Sequence, residues 1–308
     1  MGKYRLIVNP AAGGGTAGQS IPEIERRLSD LGLDFDLVQT EQPWHAVELA
    51  QAAAAEVDVV VAVGGDGTAN EVLNGLMLAK EAGHNATMGV LCVGRGNDFA
   101  FGMSIPSELE VGCELLATDH RRVVDVGRVV GGDFPEGRYF GNGVGIGFDA
   151  VVGFVAAKQK HLRGFIGYFV AAIKTIFLYF KAPLVQLEYD GQPMNMHALM
   201  VSVMNGTRMG GGFMMAPNGK PDDGMFDLCI ARQVSRPRIF ALMLKFMKGT
   251  QAEHPAITPG RTNRITVTAV EGTLPAHLDG ETLCLEGHKL ELEIVPNALR
   301  IVSAVTEG

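Results

Sequence analysis

The sequence has no stripe of basic residues, no paired cysteine spacing and no lysine-bearing phosphate loop. Its 26 Lys and Arg against 34 Asp and Glu leave a net charge of −8. A nucleic-acid binder displaces phosphate counterions with clustered cations, so that partner class is excluded. The four cysteines, Cys92, Cys113, Cys229 and Cys284, are scattered among apolar neighbours. They read as buried free thiols rather than disulfides or metal ligands. His45, His161 and His277 show no metal spacing and read as surface or partly buried side chains. Before the first apolar stretch there is no basic n-region or hydrophobic leader, and Leu6 stands where a myristoylation signal wants Ser or Thr. A cytoplasmic protein is the expectation. No run reaches the roughly 20 apolar residues of a spanning helix. Gly164–Phe180 comes nearest, with Lys174 inside it and Arg163 and Lys181 at its flanks. That segment predicts a packed helix with one lipid-facing side, and with it a peripheral membrane contact.

What is present is glycine, 40 of 308 residues, in a chain long enough for two cores. The first third alternates apolar strands at Tyr4–Asn9, Phe35–Thr40, Val57–Val63 and Met88–Val93 with helical spacing at Ile21–Leu31, His45–Ala55, Glu71–Glu81 and Pro106–Leu116. Continuous apolar strands separated by helices predict a parallel sheet covered on both faces. After residue 122 strand patterns dominate: Arg122–Val130, Leu184–Tyr189, Ala198–Met204, Met225–Arg232, Arg264–Ala269 and Lys289–Val295. Turns rich in Gly, Pro and Asp join them, which predicts an antiparallel domain interrupted by helices near 149–180 and 235–248. Leu299–Val305 is apolar again. The expected organisation is an α/β nucleotide-binding domain over 1–122, to which 298–308 returns, and a β-rich domain over 123–297.

The most informative string is Gly64-Gly65-Asp66-Gly67-Thr68, between an apolar strand and an amphipathic helix. Bare amides at a helix N-terminus favour phosphate, and Thr68 is placed to cap that helix. Asp66 would repel a phosphate unless a cation lies between them, so the turn reads as a nucleotide site with a divalent metal. Asn9-Pro10-Ala11-Ala12-Gly13-Gly14-Gly15 also follows a strand and precedes a helix. Gly13, Gly15 and Gly18, with Glu41 further on, match a dinucleotide fingerprint by spacing, but Pro10 interrupts it. A second phosphate-contacting loop is the better account, beside a merely tight connection. Without a Walker lysine or kinase catalytic-loop string, positioning and metal must carry any phosphoryl transfer.

Two later segments are open on their residues alone. Asp279 and Glu281, spaced i, i+2, would point the same way in an extended chain and could hold a proton acceptor beside a metal or orienting group. Asp-Gly is equally a common hairpin turn. Lys220-Pro221-Asp222-Asp223-Gly224-Met225 is an ordinary turn sequence with oxygen donors that suit a hard cation.

The 64–77 segment, with Asn70-Glu71 and Asn74-Gly75-Leu76, resembles the catalytic domain of bacterial diacylglycerol kinase-like lipid kinases, to which sphingosine and ceramide kinases are more distantly related. Gly-Gly-Asp-Gly alone is shared with NAD kinases and phosphofructokinases. Asn9-Pro10, Asn97-Asp98-Phe99-Ala100, Gly145–Ala150, Lys220–Asp227 and Leu278-Asp279-Gly280-Glu281 also resemble the family's strings, in order along essentially the whole chain. The resemblance implies an NAD kinase/diacylglycerol kinase-like fold with a C-terminal β-sandwich, ATP as donor, and a lipid acceptor such as diacylglycerol, with a role in phospholipid metabolism. Its acyl chains would lie in an apolar cavity of the second domain. The nucleotide-binding residues implied are Asn9, Gly13, Thr40, Gly64, Gly65, Gly67, Thr68, Asn70 and Glu71. Asp66 would help hold the nucleotide's Mg²⁺, Glu281 would be the general base and Asp279 its partner. A second, structural Mg²⁺ would be held by the Lys220 and Met225 carbonyls and the Asp223 side chain, with Asp98 and Asp125 behind it through water. Asp125 could equally end a strand. The family has Gly-Thr where this chain has Gly94-Arg95, so nucleotide contact there rests on Arg95 pairing with phosphate or turning outward. An NAD kinase-like phosphotransferase and a catalytically weak binding protein are the alternatives. The oligomeric state is open, a homodimer included.

Overall fold

The computed structural model describes residues 2–94, 96–157, 164–178 and 182–304. The chain divides into two compact units, Met1–Val126 with Pro296–Gly308, and Gly127–Val295.

The first unit runs β1 (Lys3–Val8), α1 (Thr16–Asp30), β2 (Asp34–Gln39), α2 (His45–Ala53), β3 (Val59–Gly64), α3 (Asp66–Glu81), β4 (Thr87–Cys92), α4 (Asp98–Gly102) and α5 (Leu109–Thr118). Its strands pair in parallel in the order β2-β1-β3-β4, with Tyr4 beside Phe35 and Val59, and Val59 beside Thr87. Every residue of β3 and β4 is buried, as strands covered on both faces should be. Tyr4, Leu6, Ile24, Leu28, Val61, Leu91 and Leu116 share one core. At its end the chain returns, Ile301 pairing parallel with Met88.

Two helices start earlier than the periodicity suggests, α1 at Thr16 and α3 at Asp66. Glycine loops lead straight into them, and the apolar pattern begins only where side chains meet the sheet. Gly65 is therefore the N-cap of α3. Thr68 lies inside the first turn, so the expectation that it caps the helix is corrected.

The second unit continues with β5 (Arg121–Gly131), which crosses the division, β6 (Phe134–Phe140), β7 (Gly143–Gly147), α6 (Phe148–Ala157), α7 (Gly164–Leu178), β8 (Leu184–Tyr189), β9 (Gln192–Met204), β10 (Phe226–Arg232), α8 (Arg236–Lys248), β11 (Ile257–Thr262), β12 (Arg264–Glu271), β13 (Leu274–Leu278), β14 (Glu281–Gly287) and β15 (Lys289–Val302). Its described strand pairs are antiparallel, forming a sandwich, and only the end of β15, which returns to the first unit, pairs in parallel. The long strand β9 serves both sheets: its first half pairs with β8 and its second with β7 and β10. Phe140, Val144, Val203, Phe226, Val267 and Leu292 interdigitate in the core, and the Phe140 and Phe226 rings stack at 5.6 Å. A second apolar layer joins α6, α7 and α8 to β9 and β10.

No helix among the described residues is long and apolar enough to cross a membrane. Among the described side chains of α7, Ala171, Ala172, Thr175 and Ile176 are buried and Lys174 is exposed. The side chains of residues 164–166, 168, 177 and 178, on which the expected lipid-facing side also depends, lie outside the described residues. Arg163 and Lys181 lie outside the described residues.

Candidate active site

In the first unit two glycine loops meet at the C-terminal ends of β3 and β4. A Cβ on Gly94 would fall 2.4 Å from the Gly65 Cα, so only glycine lets these backbones touch. The Asp66 carboxylate binds the second loop, Oδ1 accepting from the Phe99 N–H at 3.0 Å. A Cβ on Gly96 would lie 2.8 Å from Asp66 Oδ2 and 3.6 Å from Asp98 Oδ2, so the two carboxylates converge there. Asn9 ties in the first loop: its Nδ2 donates to Thr68 Oγ1 at 3.2 Å, and its Oδ1 accepts from the Ala11 N–H. Gly13, Gly14 and Gly15 all take positive φ, and the loop turns into α1. Thr40 follows β2 and donates its N–H to Val8 O at 2.9 Å. An open recess of about 420 Å³ lies beside Gly13 and Gly94, lined also by Thr16, Ser20 and Ser107.

The structure thus gathers Asn9, Gly13, Gly64, Gly65, Asp66, Gly67, Thr68 and Asp98. Other sequence candidates turn elsewhere. Asn70 is buried and its side chain accepts from Asn74, while Glu71 accepts from the Ala46 N–H at the start of α2. Asp125 lies inside β5 rather than at a strand end, buried, and accepts from the Asn297 N–H at 2.7 Å. Arg95 lies outside the described residues.

In the second unit, Asp279 and Gly280 form a two-residue hairpin turn with φ of 47° and 86°, between the paired Leu278 and Glu281. The two carboxylates therefore do not share an extended face. Asp279 is buried and accepts from the Gly141, Asn142 and Gly143 N–H groups at 2.8, 3.0 and 2.9 Å. Glu281 is exposed at the start of β14. The sequence left both readings open, and the hairpin prevails because left-handed φ suits Asp-Gly and the inner carboxylate satisfies three buried donors.

At the 220–225 turn, Asp223 Oδ1 accepts from the Met225 N–H at 3.2 Å, and Oδ2 forms an ion pair with Arg261. Arg261 Nε also lies 3.5 Å from Asp227 Oδ1. A guanidinium thus stands against the carboxylate implied for the structural Mg²⁺, and this arrangement does not fit a cation there. Asp66 and Asp98 do fit the nucleotide's Mg²⁺: they offer hard oxygen donors at a phosphate loop, where phosphates and water would complete the shell.

Sequence reasoning missed a buried polar group in the second unit. Asp149, at the start of α6, accepts from the Ala150 N–H and from Ser202 Oγ at 3.0 Å, and burial pushes its carboxyl up to about 7. It is the acidic member of an otherwise apolar cavity of about 60 Å³, walled by residues such as Val152, Met200, Phe213, Leu242 and Phe246. His277 is buried rather than at the surface, and burial lowers its pKa to about 4. A Cβ on Gly145 would strike both His277 Nε2 and Asp149 Oδ2. An Asp directly after Gly-Ile-Gly-Phe, entering an apolar helix, was the available signal. The four thiols are buried and free as expected; burial pushes Cys113 up to about 11 and Cys229 to about 12.

Two family models match, the diacylglycerol kinase catalytic domain over residues 3–129 and the YegS C-terminal NAD kinase beta sandwich-like domain over 142–303. The chain belongs to the diacylglycerol kinase family. It is 28% identical over 284 residues to a diacylglycerol kinase of Bacillus subtilis, covering 91% of this chain and 90% of that one. With the diacylglycerol kinase of Staphylococcus saprophyticus it shares 26% over 295 residues, 93% of each chain. A putative diacylglycerol kinase of Bacillus anthracis superposes with a TM-score of 0.79 at 25% identity, covering 98% and 97% of the two chains. Yeast NADH kinase, at 10% identity and a TM-score of 0.51 over 98% and 84%, shares the fold alone. The resemblance read from the sequence, the α/β-plus-sandwich fold and lipid kinase activity are all borne out.

Proposed function

We propose that this diacylglycerol kinase family member transfers the γ-phosphate of ATP to the free hydroxyl of a diacylglycerol-class lipid. The observation that carries the choice of acceptor is the apolar cavity of the second unit, in which Asp149 is the charged residue among the described lining. A soluble dinucleotide would need convergent donors and acceptors there, whereas acyl chains need this apolar wall.

In this reading the first unit binds the nucleotide. The Gly64–Thr68 turn presents N–H groups and the α3 dipole to phosphate, and Asn9 holds the turn through Thr68. Mg²⁺ would accompany the nucleotide at Asp66 and Asp98 and supply charge neutralisation on the transferring phosphoryl group. Glu281, exposed at the start of β14, accepts the proton of the lipid hydroxyl as its oxygen bonds to the γ-phosphorus and the bond to ADP breaks. Asp279 is a positioning residue: its three N–H bonds fix the turn from which Glu281 projects. A cytoplasmic enzyme touching the membrane peripherally follows from the same reading, since its acceptor resides in a bilayer.

Incubating the protein with γ-labelled ATP, Mg²⁺ and diacylglycerol in mixed micelles tests this. Label is expected in an organic-phase phospholipid. Label in NAD or NADH with none in lipid would sink the proposal.

A further inference from the structure

Helix α8 carries two apolar stripes. Ile239, Leu242, Met243 and Phe246 are buried and line the apolar cavity. Roughly a third of a turn further round, Phe240, Leu244 and Met247 stand in a second stripe, 42%, 42% and 36% exposed. Their i, i+4, i+7 spacing puts them on one side of the helix. Basic residues share the helix: exposed Arg236 and Lys248 flank the stripe, and exposed Arg238 and half-buried Lys245 lie further round. Between Leu228 and Ala252 the chain carries five cations, Arg232 included, and no carboxylate. That is a local excess of positive charge in a chain whose net charge is −8.

Single exposed apolar side chains are ordinary, but three large ones in a line, rimmed by cations, form a different kind of surface. Water penalises it, and an acidic protein surface would be a second-best match because it offers nothing apolar to the stripe. An anionic bilayer matches both components at once: headgroups meet the Lys and Arg side chains, and the stripe enters the acyl boundary. We propose that α8 is the membrane-docking element of this protein, lying in the plane of an anionic lipid surface with Phe240, Leu244 and Met247 inserted. The inference rests on the lipid-kinase reading for its purpose, because the helix that touches the bilayer is then also a wall of the acyl cavity. It also moves the membrane contact from the 164–180 segment, whose described apolar side chains are buried or half-buried, to a helix that leaves three exposed.

The test is sedimentation of the full chain with phosphatidylcholine vesicles, with and without phosphatidylglycerol. Two variants are compared: Phe240→Ser/Leu244→Ser/Met247→Ser, and Arg238→Glu/Lys248→Glu. Wild type should pellet with the anionic vesicles and be released by salt, and each variant should partition roughly tenfold less or weaker still. Melting curves should stay unchanged, since these side chains are exposed. Turnover of a water-soluble short-chain diacylglycerol should also be unchanged, while turnover of long-chain diacylglycerol in vesicles falls with partitioning. Equal pelleting of wild type and both variants overturns the proposal. So does a wild-type dimer that the apolar variant dissociates without any loss of vesicle binding, because the stripe is then an interface between copies. If no diacylglycerol is phosphorylated but α8-dependent pelleting persists, docking stands and the kinase reading has failed.

Discussion

Asp66 and Asp279 are both aspartates in glycine turns, yet their surroundings differ in kind. Asp279 is buried, and both carboxylate oxygens are taken by three backbone N–H groups. Asp66 is half-buried at a helix start, where one oxygen accepts from Phe99 and the other faces Gly96 beside Asp98. A carboxylate wrapped in main-chain donors fixes geometry, whereas one at a glycine loop beside a second carboxylate suits a cation. In the proposed reading the same residue type serves the fold in one unit and the chemistry in the other.

The largest effect expected from breaking this contrast is on stability. Asp279→Ala leaves three buried N–H donors without their acceptor, a cost of about 3 kcal/mol or more. Asp66→Ala should cost about 1 kcal/mol in urea unfolding for the lost Phe99 N–H bond, yet lose phosphoryl transfer. Equal destabilisation by the two substitutions would erase the distinction.

A smaller effect separates the buried polar groups within the second unit. Folded Asp149 keeps its proton up to about 7 instead of 3.8, so its contribution to stability falls as pH rises between those values. Folded His277 accepts a proton only near 4 instead of 6.5, so its contribution falls as pH drops through that window. The two trends oppose each other between about 4 and 6.5. Relative to its own stability at neutral pH, Asp149→Asn should weaken on acidification more than wild type, and His277→Asn less. Urea unfolding curves that shift in parallel for all three proteins would contradict this assignment.

Much of this was legible in the chain because it depends on short-range pattern. Continuous apolar runs gave β3 and β4, and glycine strings gave the loops that meet at their ends. The Asp-Gly hairpin was one of two open readings, and burial of Asp279 depends on donors from residues 141–143, far away in sequence. Asn70 and Glu71 sit next to the phosphate turn in sequence, but the 3.6-residue period rotates them into the packing of α2 and α3. The Arg261–Asp223 pair, the depth of His277 and the outward stripe on α8 likewise depend on tertiary neighbours. Strands β6, β7, β11, β13 and β14 escaped detection because they are short or rich in glycine, proline and charge.

The proposed division of labour between a nucleotide turn and a general base comes down to Glu281, which is exposed at the start of β14. The decisive quantity is the turnover of Glu281→Gln on diacylglycerol, with ATP affinity measured on the same preparation. Turnover should fall roughly a hundredfold or more while ATP affinity and stability hold. Wild-type turnover in that variant would contradict the assignment of Glu281 as the base.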